Sequence, residues 1–382
     1  MSIQEYLEKM KNIQKILLEF IENEDNCEEN YQILTNIFDD YKIRKNRYDL
    51  KSLLHLIVNI ANNHYRGNGF FSKIEKIILL FEDEIKNYFT NSSIFNIFET
   101  NKRLLLFLIQ NKILIFDNQI AKTINNFRYK YSDYIDYFAP EIKPHLKEIQ
   151  DERYLIFGFM SNRQKEDNKE PEDFDEKRKI GESDDPLSEI IRKDDIEKFV
   201  IFITQNNSSL NSSVKLSVYE TNNFLLRPKF YLTSQLYLIE YAAFFGSIQI
   251  FNYLYKNGAM LTQSLWLYAI HGNNPEIINV LKEKSIFPSD ASFNVCYQES
   301  IKCHHNEIAN YIEENMLSKN EKSSAKTMSK IFKTYNFNYF PDNLNQSNFM
   351  DLCKYDHYTL VDILLKTKDI DISQKIIYTF FF

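Results

Sequence analysis

Apolar positions recur by threes and fours almost from the first residue of this chain. Ile3, Tyr6, Leu7, Met10, Ile13, Ile16, Leu17, Phe20 and Ile21 share one face of a helix of about five turns. Glu, Lys and Gln occupy the opposite face. A second helical segment is predicted from Glu28 to Tyr41. An apolar pair follows, Leu50 to Ile60 and Phe70 to Phe81, with Asn62 to Gly69 as the loop between. The plainest element lies further on, from Tyr241 to Ala259, YAAFFGSIQIFNYLYKNGA. It predicts two short helices joined at Gly246, with Ile248, Phe251 and Leu254 on one face of the second and Gly258 as its stop. A unit so short cannot bury its own apolar face, so it needs neighbours of the same kind.

Such neighbours are present in weaker form. Ser92 to Ile113 repeats the helix–turn–helix pattern: shifted by 146 residues, Phe107, Leu108 and Asn111 fall on Tyr253, Leu254 and Asn257. Asp185 to Phe202 precedes the central unit, separated from it by a polar loop that begins at Asn206. Tyr268 to Ser285 lies 27 residues beyond the central unit, Cys296 to Met316 a further 31, and Phe349 to Leu365 later still. Residues 317–348 are expected to hold one irregular layer, with Ile331, Phe332, Tyr335 and Phe337 as its apolar content. Between Lys165 and Asp185, ten acids and five bases surround Phe174 and Ile180, the composition of an exposed linker.

Composition narrows the function more than the fold. The 382 residues include 7 glycines, against roughly 27 in an average chain of this length. No pair of them forms a GxGxxG or GxxxxGK[ST] loop, which removes the commonest nucleotide-binding architectures. A net charge of −7 argues against a nucleic-acid scaffold, which would carry a basic stripe. The cysteines, Cys27, Cys296, Cys303 and Cys353, have no framework spacing and fit free thiols in a reducing compartment. The first twenty residues lack the apolar core of a signal peptide. The longest apolar run, Leu104 to Phe116, is interrupted by Gln110, Asn111 and Lys112 and is too short to span a bilayer.

From Ala242 onward the central unit matches, without a gap, the wording AA-x-x-GH-L-E-VV-x-x-L-x-x-x-GA of ankyrin repeats. Pro186 and Leu187 match the ankyrin opening TPLH, which in the central unit has become YLIE, Tyr237 to Glu240. The chain as a whole resembles the large, divergent ankyrin-repeat family of trichomonad protists. The stretches that carry the resemblance are LKSLLHLIVNIANNHYR, IFNIFETNKRLLLFLIQNKIL, LIEYAAFFGSIQIFNYLYKNGA and the unit around Cys353-Lys354-Tyr355-Asp356. The resemblance implies an intracellular protein-binding role and supplies no established activity. A solenoid normally ends in a polar cap. This chain stops at IIYTFFF, so that end is expected either to fold back or to belong to a longer array.

The nearest approach to a metal cluster in the sequence is Cys296, Cys303, His304 and His305 with, later, Cys353 and His357. In the repeat register His305 and His357 fall two layers apart, roughly 20 Å at about 10 Å per layer, too far to share an ion. Cys353 and His357 have helical spacing but no recognisable oxyanion loop beside them. Asp194 and Asp195 precede a second helix, where carboxylates suit its exposed N–H groups.

These readings converge on an all-α fold: a helical-pair solenoid of ankyrin type with a degenerate helical N-terminal region. The expected divisions are 1–160, a charged mobile linker at 161–186, and ankyrin-like repeats at 187–382. In an ankyrin-type stack the first helices line the concave side. The positions flanking the Ala-Ala pair then give an exposed row: Tyr241 and Phe244, Tyr268 and His271, Glu299 and Lys302, Asp351 and Lys354. Rigid aromatic side chains at its start suit protein recognition. The expected function is a cytoplasmic or nuclear protein–protein interaction module whose partner is an unidentified protein. No catalytic residue, cofactor, metal, nucleic acid, membrane or small-molecule substrate is expected. The alternative is a fragment of a larger structural or regulatory scaffold.

Overall fold

The computed structural model describes residues 1–23, 27–67, 69–127, 132–148, 172–226, 235–288, 293–318 and 325–372. Among them the regular structure is helical, and no strand forms beyond an isolated bridge between Ser213 and Tyr237. No helix among the described residues is long and apolar enough to cross a membrane.

The chain packs as two compact units. One combines Met1–Phe81 with Pro288–Phe382; the other is Glu82–Phe287. Packing therefore divides the chain elsewhere than at 160 and 187, where composition placed the boundaries. Part of the expected linker, 161–171, lies outside the described residues, as does the apolar end from Ser373. The remainder of the linker is not an exposed tether. Phe174–Ile180 forms a helix whose Phe174 and Arg178 are 2% exposed. The Arg178 guanidinium is held by Glu141, Asp175 and the Tyr137 carbonyl. Charge-rich composition hid this, because one aromatic and one enclosed arginine suffice to seat two helical turns.

In the unit 82–287, helices come in pairs: Asn91–Phe98 with Lys102–Gln110, Pro186–Arg192 with Ile196–Gln205, Leu238–Phe244 with Ile248–Lys256, and Leu265–Gly272 with Pro275–Glu283. The last three pairs lie side by side in chain order, first helix against first helix and second against second. Their contact face is apolar: Phe199, Ile250, Phe251, Leu254, Ile277 and Leu281 are fully enclosed. Successive first helices touch so closely that a Cβ on Gly272 would stand 2.0 Å from the Ala243 carbonyl oxygen.

The pairs share a backbone signature stronger than their sequence similarity. First helices end on a left-handed residue: Asp194, Gly246 and Asn273 here, His304 and Asp356 in the other unit. The residue after it donates five positions back, as in Asp195 N to Ile190 O, Ser247 N to Ala242 O, His305 N to Ser300 O and His357 N to Leu352 O. Second helices close the same way at Lys112, Asn207, Gly258 and Ser285. The side chains of Asn111, Asn206, Asn257 and Asn315 each donate to the carbonyl four residues earlier. The pair beginning at Asn91 shares this close of its second helix, whereas its first helix ends on Glu99 in right-handed backbone.

In the unit formed by 1–81 and 288–382, the N-terminal helices Ile3–Glu22 and Arg47–Asn63 pack against the later helices. The first buries Tyr6, Leu7, Met10, Ile13, Leu17, Phe20 and Ile21, the face its spacing predicts. It also buries Gln14, whose amide bridges the chain ends: Nε2 donates to Asn336 Oδ1 at 2.8 Å and Oε1 accepts from Phe337 N at 2.8 Å. The irregular layer before residue 348 contains the helix Ala325–Thr334 and a turn at Phe337–Tyr339, with Ile331, Phe332, Tyr335 and Phe337 buried as expected.

Candidate functional site: an aromatic row and its cover

The aromatic part of the expected row forms, but it is not open. Tyr241 and Tyr268 are 0% exposed, Phe244 is 6% and His271 is 2%. Over Phe244, Tyr268 and His271 the cause is a covering ring. Phe224, in the single helical turn Asn223–Leu226, lies across the row. Its ring is 4.1 Å from His271, 5.1 Å from Tyr268 and 5.9 Å from Phe244, the last nearly parallel at 9°. Phe244 and His271 stack on each other at 5.1 Å. Phe224 itself stays partly exposed.

Tyr241 turns away from this cluster. Its hydroxyl accepts from Arg192 Nη1 at 2.9 Å, and Arg192 Nε meets Glu182 at 2.9 Å. Burial, with the Glu220 carboxylate adding repulsion, pushes the phenol upward. The tyrosine is an internal link between neighbouring pairs, not a surface contact.

The other expected positions lie in the unit formed by 1–81 and 288–382 and are held by local partners. Glu299 is 6% exposed and paired with Lys302, itself half-buried. Asp351 accepts from Ser329 at 3.2 Å, and Lys354 is exposed with its ammonium 5.2 Å from the Tyr355 ring. Of the residues expected to be exposed, Lys354 alone is fully so.

The covering turn was missed because it sits in a stretch between repeats. From Asp194 to Gly246 is 52 residues, whereas Gly246 to Asn273 is 27. Val214 N donates to Leu236 O at 2.7 Å and Leu238 N to Ser212 O at 3.2 Å, which draws the two sides of the excess together. Within it, Asn222 Oδ1 accepts from Phe224 N and Leu225 N, capping the turn. An Asn followed by Asn-Phe-Leu-Leu was the available signal.

The degraded YLIE opening is not weak. Glu240, fully buried, accepts from Tyr237 N at 3.0 Å and Thr262 Oγ1 at 2.9 Å, and from Ser264 Oγ. One carboxylate thus holds its own first turn and the start of the next pair.

In the other unit His64, His305 and His357 are buried among neighbouring elements. His64 Nδ1 lies 2.7 Å from the Cys303 carbonyl and Nε2 lies 2.8 Å from Glu22. His305 sits beside it at 4.6 Å between rings. His357 Nε2 donates to the Phe332 carbonyl at 2.8 Å, and Cys353 is exposed. Compared with protein-family models, curated proteins and solved structures, the chain finds no match.

Proposed function

We propose that the chain is a protein-recognition scaffold, a helical-pair solenoid of ankyrin type that works inside the cell by binding another protein and performs no catalysis. The observation that carries this reading is the side-by-side array of first helices, which gathers Phe244, Tyr268 and His271 into one aromatic patch with a further ring already seated on it. Aromatic clusters on rigid elements are the usual anchors of protein interfaces, and Phe224 is the partly exposed member of this one. The surrounding polar side chains serve the packing: Glu240, Arg192 and Asp194 bond to neighbouring pairs.

Site-specific photo-crosslinking tests the reading. A benzophenone amino acid is placed at 224, on the patch, or at Ile201, an exposed position on a second helix. Irradiation in native cells should yield one recurrent protein adduct from 224 and none of that protein from 201. Adducts of the same partner from 201 alone, or no specific adduct from 224, would overturn the reading.

A further inference from the structure

The segment 220–226 is placed as a ligand would be. It belongs to the excess residues between two pairs, it lies on the face that the first helices present, and its outermost ring enters a patch made by three side chains of other elements. Resting on the recognition reading above, we propose that residues 222–226 are a displaceable internal ligand. A protein partner presenting an aromatic residue followed by leucine, on a single helical turn, takes their place.

The geometry separates an anchored part from a detachable one. Tyr219 packs edge-on against Phe174 at 5.7 Å, and Thr221 donates from both N and Oγ1 to the Gly181 carbonyl, at 3.1 and 2.6 Å. These fix the approach to the turn. Beyond Thr221 the turn is capped from within by Asn222 and tied outward by Asn223, whose Nδ2 donates to the Thr100 carbonyl; leaving the patch breaks that tie and keeps the cap. A turn of four residues has no stability of its own and persists through what it packs on. The closed neck at Ser213 and Tyr237 means that its departure need not pull on the stacked pairs. The partner's chemistry follows from the occupant: Phe224 fills the space over His271 and Phe244, while Leu225, 4% exposed, fills an apolar position beside it.

The test uses the full chain and a fluorescein-labelled peptide of residues 219–226, followed by anisotropy. A tethered segment competes at an effective concentration of about a millimolar. The peptide should therefore bind the Phe224→Ala chain at least tenfold more tightly than the unsubstituted chain. A peptide carrying the same Phe224→Ala change should bind neither. Equal binding to both chains, or no binding to a Phe224→Ala chain that keeps its helical signal and melting temperature, overturns the proposal. Unfolding of that variant would overturn it too, by making Phe224 part of the core. Hydrogen exchange on the unsubstituted chain then decides independently. Amides of 223–226 should exchange well before those of 238–244 and 265–272, and simultaneous exchange refutes a detachable turn. Failure of the peptide alongside a partner adduct at position 224 would remove the internal ligand and leave the recognition surface standing.

Discussion

Gly272 carries a constraint that its position in a helix does not advertise. It is the point where two first helices meet, and the Ala243 oxygen occupies the space a methyl group would need. Gly272→Ala should destabilise the 82–287 unit by about 3 kcal/mol or more, because a backbone atom cannot swing aside as a side chain can. Urea unfolding checks this, and a midpoint equal to the parent's would refute the close approach. The histidines give a second prediction at this scale. Five of the seven, His55, His64, His304, His305 and His357, lie in the unit formed by the chain ends. Burial lowers His304 and His357 to about 3, helped at His304 by the nearby His64. Burial also lowers His55, against the pull of Asp356 and with the push of Lys51. These rings are neutral when folded, whereas an unfolded histidine takes up a proton near pH 6.5. Below that pH the unfolded state binds more protons, so stability is full above about 6.5 and declines as pH falls toward 3. His304 and His357 each add a slope approaching 1.4 kcal/mol per pH unit, by order of magnitude. The urea midpoint should fall between pH 7 and pH 5, and a flat profile would contradict neutral burial.

At the scale of the helical pair, stability comes from the face between layers. Leu254 is fully enclosed there with Phe251 and Ile250. Leu254→Asp puts a carboxylate into that face and should unfold the stacked pairs together. A melting temperature within a degree or two of the parent's would refute the stacking of this pair. The central pair was the legible one because it uses glycine at both left-handed positions, Gly246 and Gly258. Elsewhere the same backbone is built with Asp194, Asn273, His304 and Asp356, or with Lys112, Asn207 and Ser285. Asn and Asp tolerate that conformation and the others bear a small local cost. In a glycine-poor chain, the turn therefore survives where its sequence sign does not. Helix faces were legible for the same reason in reverse: burial enforces apolar spacing, as in Ile3–Glu22. Spacing sets Tyr241, Phe244 and Tyr268 on successive first helices, but nothing in it records that Phe224 returns to cover Phe244 and Tyr268.

At the scale of the molecule, the two ends of the chain make one body. Lys51 pairs with Asp356 at 2.7 Å, Thr359 donates to Asp49 at 2.8 Å, and Gln14 spans Asn336 and Phe337. Sequence could not show this, because helix periodicity states which face is buried and not against which partner. Fragments 1–81 and 288–382, made separately, should each have little helical signal and gain it on mixing. Full helicity of either fragment alone would refute their mutual dependence. The central claim, however, concerns the other unit: that its first helices form a recognition surface covered by the chain itself. Hydrogen exchange with and without the crosslinked partner protein addresses it most directly. The account predicts added protection in 238–244 and 265–272, together with faster exchange in 223–226 as the covering turn is displaced. Protection confined to other helices, with 223–226 unchanged, would contradict it.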